Sequence, residues 1–129
     1  MIKAIVIGHG DLATSLVKAA EKIVGPQDSV EVISNLGLSG DALCSKIIKA
    51  SRKTRKEQII FVDLPGGSCT ISCLRAIKRR NTLPVICGMN LPMLLEFFLL
   101  RDKYTTKELV TILIKKAKAN IFRLGEGHG

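Results

Sequence analysis

The sequence predicts an α/β domain of the doubly wound type, with a mainly parallel four-stranded sheet and helices on both faces. Three observations carry that prediction. Short apolar runs recur along the chain, helical apolar spacing fills the gaps between them, and glycine or proline marks the turns. The 129 residues suit one domain spanning 1–129, and 47% of them are hydrophobic. Folding at that length removes roughly two thirds of the unfolded surface from water. A two-domain enzyme and a disordered chain are excluded.

Buried parallel strands are expected at residues 2–7, 30–34, 59–63 and 84–88. After the first, Leu12, Leu16, Ala19, Ala20 and Ile23 recur at helical spacing, Asp11 offers an N-cap, and Gly25-Pro26 ends the helix. A second helix is expected over 41–55, with Leu43, Cys44, Ile47 and Ile48 on one face. A third, over 70–79, turns Ile71, Leu74 and Ile77 inward. Pro92 opens a fourth, where a missing N–H does no harm. That helix carries Leu94, Leu95, Phe97, Phe98 and Leu99, too apolar for a solvated surface, so it faces a core or a dimer interface. A last helix starts at Thr105, which forms a capping-box pattern with Glu108, and ends near Lys118. Right-handed crossovers place such helices on both sides of the sheet.

Residues 119–124 look like a further, isolated strand. The glycine-rich end, 125–129, is expected to be a mobile tail in which His128 is held by no geometry. The apolar stretch 83–100 contains Pro84, Asn90, Pro92 and Glu96, which disfavour a membrane span, and the apolar start is too short for a signal peptide. The four cysteines, Cys44, Cys69, Cys73 and Cys87, form no CxxC pair and read as reduced thiols, so a cytoplasmic location is expected.

The formal net charge is +9, of which +6 lies within residues 51–80, in clusters that close two helices. Cations there complement the helix dipole, at the sheet edge opposite the one where such folds bind ligands. With one Tyr and no Trp, there is little surface on which bases could stack, so a nucleic-acid partner is not expected.

Three loops follow strand C-termini and share the other edge: Gly8-His9-Gly10-Asp11, Asp63-Leu64-Pro65-Gly66-Gly67-Ser68 and Gly88-Met89-Asn90-Leu91-Pro92. In the flavodoxin-like strand order, the first and third strands are neighbours and a crevice opens between them, lined by His9 and Asp63. An imidazole flanked by glycines suits nucleophilic catalysis, and a neighbouring carboxylate fixes its tautomer. Ser68 and the amides of Gly66 and Gly67 begin a helix, where an anion is favoured. Taken singly, a Gly-His-Gly turn is as well explained as a tight strand-to-helix connection; the three loops together point to a site. Cys69 and Cys73, four apart, are better read as small buried hydrophobes than as metal ligands, and no metal is expected.

Together the segments Ile5-Val6-Ile7-Gly8-His9-Gly10-Asp11-Leu12-Ala13, Phe61-Val62-Asp63-Leu64 with Gly66-Gly67-Ser68, and Gly88-Met89-Asn90-Leu91-Pro92-Met93-Leu94 resemble the enzyme IIA component of the mannose family of the bacterial phosphoenolpyruvate-dependent sugar phosphotransferase system. The resemblance implies a phosphohistidine carrier without a cofactor. His9 would accept a phosphoryl group on Nε2 from HPr and pass it to a IIB partner during sugar uptake, with membrane permease components engaged indirectly. Asp63 would hold Nδ1, and Gly66, Gly67 and Ser68 would face the phosphoryl group. It also implies a homodimer that exchanges the C-terminal strand, 119–124. Leu38, Leu64, Pro65, Met89 and Leu91 are candidates for an apolar docking ring that keeps water from the phosphohistidine. Pro65 stands where the family commonly has an aromatic residue, and Cys69 where it commonly has proline. Two alternatives remain: the same phosphorylated domain used for signalling or as donor to dihydroxyacetone kinase, and a non-catalytic anion-binding module.

Overall fold

A computed structural model describes residues 1–66, 74 and 83–125. It contains strands β1 (Lys3–Gly8), β2 (Val30–Ser34), β3 (Gln58–Val62) and β4 (Val85–Cys87). Its helices are α1 (Leu12–Val24), α2 (Gly40–Ser51), α3 (Leu91–Leu100) and α4 (Thr106–Ala119). The strands form one parallel sheet in the order β2-β1-β3-β4. From β1 the chain crosses to one side and from β3 to the other, so the switch point of this doubly wound sheet lies between β1 and β3.

Two apolar layers cover the sheet. On one face Ala4, Val6, Ile59, Phe61 and Ile86 meet residues of α1, α3 and α4; on the other Ile5, Ile7, Ile33, Ile60 and Val62 meet α2 and Leu74. The alternation follows from the strand period of two, and the continuous burial of β1 and β3 follows from having helices on both sides. Phe97 packs edge-on to Phe61 at 5.1 Å between ring centroids, so this face of α3 is core.

The capping box expected at the last helix forms, and a cap that was not expected opens α3. Asn90 Oδ1 accepts from Met93 N–H at the start of α3, and Thr105 and Glu108 form a reciprocal box at the start of α4. Asp11 precedes α1, but its side chain makes no cap bond. The inward stripe of α1 is Ala13, Val17 and Ala20, while Leu12 and Ile23 are exposed. Gly8 explains this shift: a Cβ there would lie 2.9 Å from Ala13 N, so β1 and α1 touch through small residues and the larger ones turn outward. Helix α2 ends at Ser51, short of the expected 55.

Of the third expected helix, 70–79, only Leu74 is described; it is helical and buried. Within one chain, 119–124 is not a strand: Ala119 ends α4, and Ile121 and Leu124 are exposed in the irregular segment that follows. The tail from 126 on lies outside the described residues. Cys44 is disulfide-bonded, which corrects the expectation of four reduced thiols, since sequence spacing does not report which sulfurs a fold brings together; Cys87 is free and exposed.

Candidate functional site

His9 and Asp63 immediately follow the two strands at the switch point. Ile7 pairs with Val62, so the register sets the two side chains on adjacent strand ends of one edge. Asp63 Oδ2 accepts from the His9 backbone N–H at 2.9 Å and lies 2.9 Å from Nδ1 of the same residue. Its other oxygen, Oδ1, accepts from Leu64 N–H at 2.8 Å. The carboxylate is nearly enclosed, at 6% side-chain exposure, whereas the imidazole is 57% exposed. Burial opposes ionisation of Asp63. The hydrogen bonds from His9 N–H, the His9 ring and Leu64 N–H, with the charge of the ring, outweigh it and hold the carboxyl below its usual range. An ionised Asp63 selects the tautomer with hydrogen on Nδ1, which makes Nε2 the nucleophilic nitrogen.

The loop carrying His9 is braced from β2. Gly10 has φ +59°, a conformation a side chain would strain, and its N–H donates to Asn35 Oδ1 at 2.9 Å. Its carbonyl accepts from Ser34 Oγ at 2.7 Å. Sequence reasoning missed Ser34 and Asn35; the available signal was a pair of small polar residues at the end of a strand neighbouring β1.

Beyond Asp63, Gly66 N–H donates to Leu64 O at 2.8 Å, closing a three-residue turn on Pro65. Proline's fixed φ suits the centre of such a turn. Gly66 was expected to offer this amide to a phosphoryl group, but the turn already uses it. What Gly66 provides is clearance, since a Cβ there would run into Leu64 Cδ1 and come within 3.7 Å of His9 Cε1. Gly67, Ser68, Cys69 and Cys73 lie outside the described residues. A small cavity of about 90 Å³ opens beside His9, lined among others by Asn35, Leu43, Asp63, Leu64 and Gly66.

The expected docking ring is only partly on the surface. Leu64 and Pro65 are exposed, and Leu38 and Leu91 are half-buried. Met89 is buried in the core at 8% exposure, because its N–H and that of Gly88 both bond to Val62 O and draw the β4 loop over β3. Leu36, after β2, is exposed as well and was not among the expected residues.

The family described as "PTS system fructose IIA component" matches residues 3–114. The chain belongs to the mannose family of phosphotransferase-system IIA components. It is 33% identical over 126 residues to the "PTS system mannose-specific EIIAB component" of Escherichia coli strain K12, covering 94% of this chain and 39% of that protein. The chain thus spans about two fifths of that relative's length. It is 28% identical to the "PTS system fructose-specific EIIA component" of Bacillus subtilis strain 168, covering 88% of this chain and 80% of that protein. The crystal structure of a phosphotransferase-system EIIA component from Streptococcus agalactiae superposes with a TM-score of 0.85 at 26% identity, covering 95% and 97% of the two chains. Members of this family are phosphotransferase subunits that carry phosphoryl groups in sugar uptake. Neither the signalling or kinase-donor use nor the anion-module alternative is favoured by these relatives.

Proposed function

We propose that His9 is the phosphoryl acceptor of a carrier working between HPr and a IIB component. The observation that carries this reading is the 2.9 Å contact between His9 Nδ1 and an enclosed Asp63, which leaves the opposite side of the ring toward solvent. In the transfer, the Nε2 lone pair attacks phosphorus while the N–P bond of the donor's phosphohistidine breaks and its electrons return to the donor ring. The Nδ1 proton stays in place, and Asp63 balances the positive charge of phosphorylated His9. Positioning, charge stabilisation and exclusion of water are what such a transfer requires. Exposed Leu36, Leu64 and Pro65 support an apolar seat for the partner beside the ring. Gly67 and Ser68 are assigned to the phosphoryl oxygens on the strength of their sequence position alone.

The wider assignments belong to the same reading: cytoplasmic action, indirect service to membrane permease components, and a homodimer that exchanges residues 119–124. No helix among the described residues is long and apolar enough to cross a membrane. Incubation with phosphoenolpyruvate, enzyme I and HPr is expected to yield an acid-labile phosphoryl adduct by mass, and His9→Ala is expected to abolish it. Labelling of His9→Ala at the full rate would place the acceptor elsewhere.

A further inference from the structure

The sheet edge opposite His9 holds a cleft of about 970 Å³. Its walls come from the segment between α2 and β3, the entry to β4 and the first turn of α4. Arg52, Arg55, Lys56 and Lys107 line it, all exposed. Among the described residues none of the four forms an ion pair; the nearby ion pairs use Lys3 and Lys53 with Glu31. Glu57 is the one carboxylate among the described lining residues, and its Oε2 accepts from Thr106 Oγ1 at 2.6 Å. Cations that merely complement helix ends need not converge, and these come from two separate parts of the chain onto one concavity.

A second observation points the same way. Gln58, 7% exposed, also lines the cleft; its Nε2 donates to Ser51 O at 2.7 Å, but its Oε1 is buried with no partner. A buried acceptor without a donor is costly until one arrives.

We propose that this cleft binds a polyhydroxylated phosphate monoester, its phosphate among Arg52, Arg55, Lys56 and Lys107 and one of its hydroxyls donating to Gln58. Two guanidinium forks and two ammonium groups suit the several oxygens of a phosphate dianion better than a single carboxylate. The volume is that of a small-molecule site. No aromatic side chain is among the described lining residues, so there is no platform for a nucleobase, and a sugar or polyol ester fits better than a nucleotide.

Titration of the full chain with glucose 6-phosphate, followed by calorimetry and by amide chemical shifts, tests this. Shifts are expected at residues 54–58 and 106–107, with those at 9–11 unmoved. Glucose alone and inorganic phosphate are each expected to bind about 10-fold more weakly or worse. The double variant Arg55→Gln/Lys107→Gln, at two exposed positions, should keep its melting temperature and lose about 10-fold or more in affinity. His9→Ala should bind the ester unchanged, which separates this site from the phosphoryl-accepting one. The proposal is overturned by undetectable binding at about 10 mM ester, by equal binding of inorganic phosphate, by shifts centred on His9, by undiminished binding in the double variant, or by tighter binding of a single-stranded oligonucleotide.

Discussion

A single oxygen, Asp63 Oδ2, holds both the main chain and the ring of His9, so the carboxylate fixes where the imidazole is as well as which tautomer it adopts. Losing it should harm rate more than fold. Asp63→Ala is expected to slow phosphoryl acceptance roughly 10- to 1000-fold, measured by rapid-quench labelling from phosphorylated HPr. An unchanged rate would mean that the ring is oriented by something else. The same contact predicts a pH signature. Asp63 titrates below its unfolded value of about 3.9, so its charge stabilises the fold fully above that value, and the contribution fades as pH falls through the lower, folded value. In urea melts the gap between wild type and Asp63→Asn should narrow in acid below about pH 4. A gap independent of pH would remove the charge from the account.

At the scale of elements, α3 is anchored at the edge of the sheet opposite the site. Arg101, 2% exposed, caps that helix and donates to Ile2 O, Ser29 O, Asp28 O and Gln27 Oε1. Its guanidinium also lies 5.4 Å from the ring centroids of Phe97 and Phe98. Arg101→Met keeps much of the volume but strips four acceptors of their donor, and should cost about 3 kcal/mol in denaturant unfolding. A loss under about 0.5 kcal/mol would show that water replaces the guanidinium freely. Nothing local in the sequence announces this residue, because its partners are some seventy to a hundred positions away. The strands were legible to within a residue at their ends, since their apolar runs are continuous, and so was the cap at Thr105, whose partner lies three residues on. The inward face of α1 was not legible, because Gly8 and Ala13 set it by close approach across a turn. His9 and Asp63 could be paired because topology alone aligns strand ends. Ser34 and Asn35 act through tertiary hydrogen bonds to a glycine backbone that no motif records.

For the whole molecule, the open question of assembly is set by one edge and one segment. Among the described residues β4 pairs only with β3, so its outer N–H and C=O groups form a short edge that a further strand can extend. The chain after α4 leaves Ile121 at 73% and Leu124 at 87% exposure, apolar area that a lone copy gains nothing by showing to water. Exchange of residues 119–124 between two copies addresses both, because a two-fold operator gives each edge the other's segment. If that exchange forms, the melting temperature of the intact chain should rise with protein concentration, since dissociation is coupled to unfolding. A chain ending at Asn120 should sediment as a monomer, melt at a lower temperature and lose the concentration dependence. Sedimentation of the intact chain as a monomer at about 100 μM, where a micromolar dimer would be nearly complete, would show that the exposed residues serve some other contact.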